Sequence, residues 1–524
     1  MKSAKIPFHK ISTPRNSVEL TNVENLKARK WKPIPLPHGT IPEPKGQDLD
    51  YVNVAHSHLV HSDWSKLDKL ASGLTPFRVK HILLKTQKDY VLSLEFFKWV
   101  ELKNPSSVTL HSHSIILHVL TKNRKFKSAE TIFRRVIESC LGPLELPSKL
   151  FEALLYSFRI CDSSPRVFDA LFKTFAHMKK FRNATDTFRV MKEYGFLPTI
   201  ESCNAFLSSL ISLNRSDIAL SFYKEMRRSH ISPNVYTLNI VIGAFAKLGN
   251  IEKAIEVFKE MEKMNISPTA ASYNTLIAGY CSQGLLSTAL KLKKLMEKNE
   301  VRPNEVTYNT LVNALCKEGK LHEASKLFSE MKTMDVAPNT VTYNTLINGY
   351  SQAGNSEMAG HLFEDMLVNG IKADILTYNA LILGLCKEGK TKKAAYLVKE
   401  LDREKYVPNS STFSALITGQ CVRKNPDRAL QLYRSMIRTG CHPNEATFTM
   451  LVSTFIENKD YDGAVVILKE MLEKSISPDS GILSVLCDGL CQDGKEEVAI
   501  SLCKEIEARH LMPGSFKKTR SFSF

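Results

Sequence analysis

An all-α fold, an α-solenoid superhelix of 35-residue helix-turn-helix repeats, is what this sequence predicts, and three periodic observations predict it. Ser272-Tyr273-Asn274-Thr275-Leu276-Ile277 returns as Thr307-Tyr308-Asn309-Thr310-Leu311-Val312, and its core returns again at Thr342-Tyr343-Asn344 and Thr377-Tyr378-Asn379, 35 residues apart each time. Such self-similarity marks a repeat architecture. Alanine holds the twentieth place of every repeat (Ala129, Ala184, Ala219, Ala254, Ala289, Ala324, Ala359, Ala394, Ala429, Ala464, Ala499), where a small side chain lets two helices approach. Glycine at the fifteenth place (Gly249, Gly284, Gly319, Gly354, Gly389, Gly494) separates two apolar-periodic stretches, as a residue just past a helix end does. Proline at the thirty-fourth (Pro198, Pro233, Pro268, Pro303, Pro338, Pro408, Pro443, Pro478, Pro513) stops the second helix. One helix pair cannot bury its apolar face alone, so neighbours must stack.

Taken in order, residues 1–62 predict a transit peptide followed by a Pro-rich disordered or extended segment. The first eighteen residues carry Lys2, Lys5, Lys10 and Arg15 with no acid before Glu19, and five prolines fall between residues 31 and 44. Residues 63–109 form a helical N-terminal lead-in ending in Leu94-Glu95-Phe96-Phe97-Lys98-Trp99. Residues 110–164 hold a degenerate repeat and then a single unpaired helix over Lys149–Ser164. Ten contiguous repeats fill 165–514, starting at 165, 200, 235, 270, 305, 340, 375, 410, 445 and 480, and residues 515–524 are a basic tail.

Composition excludes several classes. With 43% apolar residues the chain can build a core, and no apolar run is long enough to span a bilayer. Eleven cysteines in 524 residues are too few for a disulfide scaffold, and the number is odd, which favours a reducing compartment. The net charge of +17 favours an anionic partner. Residues 1–109 and the last ten supply more than half of it; the rest is spread thinly.

Some motifs suggest chemistry that their context removes. Gly384-Leu-Cys-Lys-Glu-Gly389-Lys390-Thr391 matches a phosphate-binding loop letter for letter, yet it straddles a predicted helix end rather than following a strand. The same turn recurs at Ala314–Leu321 with both diagnostic ends changed. Cys281, Cys316, Cys386, Cys421 and Cys491 share the twelfth place, an address for a small core residue rather than a ligand. No Cys-x-x-Cys and no His-x-Glu occurs. The pairs His56/His58 and His111/His113 are isolated. The expectation is no catalytic residue, no metal and no cofactor.

A 35-residue helical hairpin with Val-Thr-Tyr-Asn-Thr-Leu-Ile at its start (Val341 to Ile347) and a Pro-Asn or Pro-Asp end closely resembles the pentatricopeptide repeat. The likeness covers residues 110–514, and the segment from Leu74 to Val100 looks like the lead-in of plant members. Uniform repeat length resembles the P class of plant organelles. The resemblance implies a right-handed superhelix that binds single-stranded RNA, about one base per repeat, its first repeats nearest the 5′ end. It implies a non-enzymatic role in organellar transcript stabilisation, processing, splicing or translation. It implies a mitochondrial location, with the chloroplast as alternative. The competing reading is a protein-interaction scaffold of tetratricopeptide-like type. A peptide groove has no reason to repeat polar fifth and last places.

Specificity, by the same resemblance, lies in the fifth and last residues of each repeat. Asn204 with Asn234, Asn274 with Asn304, Asn309 with Asn339 and Asn379 with Asn409 imply pyrimidines. Asn344 with Asp374 implies U, Ser414 with Asn444 implies A, Thr449 with Asp479 implies G, and Asn239 with Thr269 is weakly coded. Asp169/Thr199 and Ser484/Gly514 are uncoded, which gives 5′-YNYYUYAG-3′. Val306, Val341 and Leu376, at second places, are expected to sandwich bases; Glu201 and Gly481 are not suited to that. A monomer, with organellar RNA-processing proteins as partners and no membrane association, completes the expectation.

Overall fold

The computed structural model describes residues 42–139 and 146–513, so the basic start, most of the proline run, Gly514 and the basic tail lie outside the described residues. The described residues hold 27 α-helices, two short 3₁₀ turns and no strand. They divide into two compact parts, Met1–Pro233 and Asn234–Phe524.

The first part begins with a helix that the sequence analysis missed. Gln47–Val60 was expected to belong to the extended segment, but it is helical. Val52, Ala55 and Leu59 form a buried stripe at helical spacing, and Arg78 lies over the Tyr51 ring while its Nε donates to Asp48 Oδ1 at 2.6 Å. The neighbouring prolines masked that stripe. Helices Pro76–Thr86, Tyr90–Lys103, Leu110–Lys122 and Phe126–Ser139 follow. Helix Leu146–Phe158 ends at Phe158, six residues before the expected stop. The next helix, Arg166–His177, is already the first of a repeat. Buried His118 fixes this corner, with its ring nitrogens 2.6 Å from Ser163 Oγ and 2.9 Å from the Leu154 carbonyl. Burial pushes its pKa down to about 4, so it stays neutral there.

In the second part the 35-residue period is met by pairs of 13-residue helices, such as Glu305–Lys317 with Leu321–Thr333 and Thr340–Gln352 with Ser356–Val368. The fifteenth-place residue takes a left-handed conformation in every one of these turns. Gly319, Gly354 and Gly389 have φ of 72°, 72° and 69°, and Lys424 and Lys459 take 54° and 58° where glycine is missing. The twentieth-place alanines are fully buried between the helices. Fourth-place tyrosines fasten first helices to second ones: Tyr343 donates to Asp365 Oδ2 at 2.8 Å, and Lys332 donates to the same oxygen at 2.8 Å.

Successive first helices touch through a size match at the tenth and twelfth places. A Cβ on Gly384 would lie 2.7 Å from Ser351 Oγ and 3.1 Å from Ser351 Cα, and one on Gly419 would lie 2.7 Å from Cys386 Sγ. Twelfth-place cysteines are therefore small packing residues opposite glycine, and burial raises the Cys386 thiol to about 11. The phosphate-loop lookalike is part of the same packing. Gly384 lies inside helix Ile375–Lys387, Lys390 pairs with Glu388, and Glu388 accepts from the Ser356 N–H and, at 2.7 Å, its hydroxyl.

Candidate nucleic-acid interface

The last residue of each repeat is the N-cap of the next repeat's first helix. Asn304 Oδ1 accepts from the Thr307 N–H at 3.2 Å, Asn339 Oδ1 from Thr342 at 3.1 Å, Asp374 Oδ1 from Thr377 at 3.0 Å and Asn409 Oδ1 from Thr412 at 3.2 Å. In each case the threonine hydroxyl returns to the cap's own N–H, completing a capping box. Capping thus belongs to the last place. The fifth place lies inside the first helix, as Asn274 does within Ala270–Ser282, so a capping preference does not explain its polarity.

Fifth and last side chains meet across 30 residues. Asn274 Nδ2 donates to Asn304 Oδ1 at 3.0 Å, Asn309 to Asn339 at 3.4 Å, Asn344 to Asp374 at 2.9 Å and Asn379 to Asn409 at 3.1 Å. The fifth-place oxygen is held as well. Thr307, Thr342, Thr377 and Thr412 lie 2.6–2.7 Å from Oδ1 of Asn274, Asn309, Asn344 and Asn379. These third-place threonines were legible in the Thr-Tyr-Asn motif, but no role was read for them.

The network fixes which atoms remain for a ligand. A backbone N–H can only donate, so the last-place atom it meets must be oxygen, and the amide orientation follows. In Asn304 and Asn409 the second atom is then Nδ2, a donor; in Asp374 it is Oδ2, an acceptor. Against burial, which would raise it, the N–H of Thr377 and the amide of Asn344 hold the Asp374 carboxyl below the usual carboxylate range, so it is ionised at neutral pH. Asn339 differs, since its Nδ2 donates to Glu305 Oε2 at 2.8 Å.

Repeats without a third-place threonine lose this arrangement. Ser272 turns to the Thr269 N–H at 3.1 Å, and Asn239 Oδ1 is buried without a hydrogen-bond partner. Ser414 meets Thr447 at 2.8 Å, while Asn444 Oδ1 caps through the Thr447 N–H at 2.9 Å. Asp479 Oδ1 accepts from the Gly481 N–H at 2.9 Å, with Ile482 where a threonine would be, and Thr449 is half-buried. Asn204 closes the first part's series and Asn234 opens the second part, where it caps helix Val235–Lys247. In the first part Asp169 Oδ1 accepts from the Thr199 N–H at 2.8 Å, and burial raises its carboxyl.

At the second places, Val306, Val341 and Leu376 are each more than half exposed, apolar side chains left in water one turn before the polar pairs. Tyr236 shares that place and that exposure. The sequence analysis passed over it, although its register alone identified it.

These features define a helical-repeat protein whose first helices carry a ladder of paired amides and carboxylates beside exposed apolar side chains. Family comparison gives this class its name. The PPR repeat family model matches residues 268–317, 303–349, 338–387, 373–422 and 408–457, the pentatricopeptide repeat domain matches 202–247 and 221–283, and a further PPR repeat matches 446–476. The chain belongs to the pentatricopeptide repeat family. A mitochondrial pentatricopeptide repeat-containing protein of Arabidopsis thaliana is 68% identical over 194 residues, 37% of this chain and 37% of that protein. A second Arabidopsis thaliana member is 32% identical over 166 residues, 31% of this chain and 22% of that protein. The aligned segments thus span well under half of these relatives' own lengths. A crystal structure of a maize pentatricopeptide repeat protein is similar at 18% identity and a TM-score of 0.49, covering 88% of this chain and 74% of that one.

Proposed function

We propose that the chain binds single-stranded RNA in a sequence-specific way, about one base per repeat, and acts without catalysis in organellar RNA metabolism. The observation that carries this reading is the ladder itself. Four successive repeats, from Asn274/Asn304 to Asn379/Asn409, hold a polar pair by the same bonds and leave one last-place atom in hand. A protein-docking groove has no use for such repetition. The chemistry of that atom supports the assignments. Asp374 Oδ2 accepts, as the imino N–H of U requires, whereas Nδ2 of Asn304 and Asn409 donates, as N3 of cytosine requires. Asp479 offers a carboxylate oxygen to the imino N–H of G. Val306, Val341 and Leu376, joined by Tyr236, are the base-sandwiching side chains in this reading. The even 35-residue spacing supports the P class.

Full-length protein should retard 5′-YNYYUYAG RNA in a gel-shift titration. With about 4–6 phosphates neutralised, log K should fall against log[salt] with a slope of about −0.7 per contact. Duplex RNA of the same sequence should bind much more weakly, because its base edges are occupied. A flat salt dependence together with equal duplex affinity would reject RNA readout.

The mitochondrial relative and the basic, acid-free first eighteen residues support import into mitochondria, with plastids as alternative. Residues 1–109 fused to a fluorescent reporter should co-localise with a mitochondrial dye. Diffuse cytosolic fluorescence from a full-length fusion would overturn this assignment.

A further inference from the structure

Two cysteine sulfurs face each other across the last described hairpin. Cys487 lies on helix Ser480–Gln492 and Cys503 on helix Glu496–Ala508, with Sγ to Sγ at 3.8 Å. That is van der Waals contact between thiols. A disulfide needs about 2.05 Å, so the sulfurs must close by about 1.8 Å, a distance that small side-chain rotations can cover. The surroundings suit a slow, reversible bond. Cys487 is buried beside Leu483, Leu486 and Leu490, while Cys503 is only half-buried and open to a small oxidant. The twelfth-place cysteines differ, since Cys316 and Cys386 face glycines of the following repeat.

We propose that Cys487 and Cys503 are a reversible disulfide site that clamps this hairpin when a low-molecular-weight disulfide such as oxidised glutathione is supplied. The half-exposed Cys503 thiolate attacks one glutathione sulfur, forms a mixed disulfide and expels one glutathione thiolate, which takes up a proton. Cys487 then gives up its proton to solvent and attacks Cys503 Sγ, expelling the second glutathione. Two protein thiols are oxidised and one glutathione disulfide is reduced to two thiols. The hydrogen bond with Cys503 and burial both push the Cys487 thiol well above its ordinary value. The buried partner is therefore the resolving group and not the first nucleophile. Closing the bond ties helix Ser480–Gln492 to helix Glu496–Ala508 at residues sixteen positions apart. Ser484, one turn before Cys487, lies on the clamped helix.

The test uses full-length protein equilibrated in glutathione buffers of graded redox ratio, alkylated after acid quenching, digested and weighed by mass spectrometry. A cross-linked peptide pair joining Cys487 to Cys503, about 2 Da lighter than the two reduced peptides together, is expected at oxidising ratios and should vanish on return to reduced glutathione. Cys487→Ser and Cys503→Ser should each abolish it, and Cys491→Ser should leave it. Hydrogen exchange over residues 496–508 should slow by about tenfold in the oxidised protein. A bridge from Cys491 to Cys503, glutathione adducts without a bridge, both thiols still alkylated at the most oxidising ratio, or a bridge formed only in denaturant would each overturn the proposal.

Discussion

Gly384→Val is expected to destabilise the second part by about 3 kcal/mol, near the upper end of overpacking costs. A Cβ at this place would lie 2.7 Å from Ser351 Oγ, 2.9 Å from Ser351 Cβ and 3.1 Å from Ser351 Cα. The hydroxyl could rotate, but the Cα belongs to helix Thr340–Gln352 and can retreat only if two repeats move apart. Valine adds a branch at Cβ, which aggravates the clash. Gly384→Ala should cost less, because the roughly 1 kcal/mol by which alanine favours a helix over glycine offsets part of the contact. Ser351→Gly in that background should recover most of the loss. Ser351 Oγ is buried without a hydrogen-bond partner, so its removal breaks no bond. Urea titration of the purified protein measures the series. Because each repeat contacts only its neighbours, hydrogen exchange should accelerate first in repeats 340–374 and 375–409. An unchanged urea midpoint for Gly384→Val would refute the close approach.

Thr449→Asn is expected to shift preference from 5′-YNYYUYAG to 5′-YNYYUYAU, by about 1–2 kcal/mol or roughly five- to thirty-fold in the affinity ratio. The change recreates the Asn/Asp pair of Asn344 and Asp374. It does so incompletely, because Ile482 stands where Thr377 holds the Asn344 oxygen at 2.6 Å. The double substitution Thr449→Asn with Ile482→Thr should therefore give the larger shift, since it supplies the hydroxyl that orients the new amide. Thr449 is half-buried inside helix Glu445–Glu457, so folding should be little disturbed, and circular dichroism would verify it. Gel-shift titration of both RNAs against wild type, single and double variants decides the matter. Identical ranking by three folded proteins would mean that this repeat does not read a base.

What the sequence made legible was whatever recurs at a fixed address. Ala324 or Ala359 alone says little, but alanine at one place in every repeat demanded a close helix pair, and that is where the alanines are buried. Glycine at the fifteenth place declared the left-handed turn. It left unsaid that Lys424 and Lys459 adopt the same conformation, since the turn is imposed by the two helices and not by glycine alone. Helix Gln47–Val60 was hidden because its stripe of Val52, Ala55 and Leu59 occurs once and adjoins prolines. At the interface the pattern named the paired residues, but hydrogen-bond direction is a property of atoms. Which oxygen of Asp374 is occupied, and that Glu305 takes the amide of Asn339, needed coordinates.

The cap at the end of each repeat has a consequence for how such a protein can change. Folding requires one oxygen of the last residue, the one that receives the next helix's N–H, and is indifferent to its twin. Asparagine and aspartate are isosteres that share the required oxygen and differ only at the other atom, NH₂ or O⁻. Exchange between them alters what the groove says to a ligand while leaving the helix start intact. Mutation can thus rewrite specificity one letter at a time along a path of nearly constant stability, whereas a step to leucine or valine would remove the cap and cost about 1 kcal/mol at once. Selection for a foldable array has, in effect, chosen a two-letter alphabet for this place and left the spelling free.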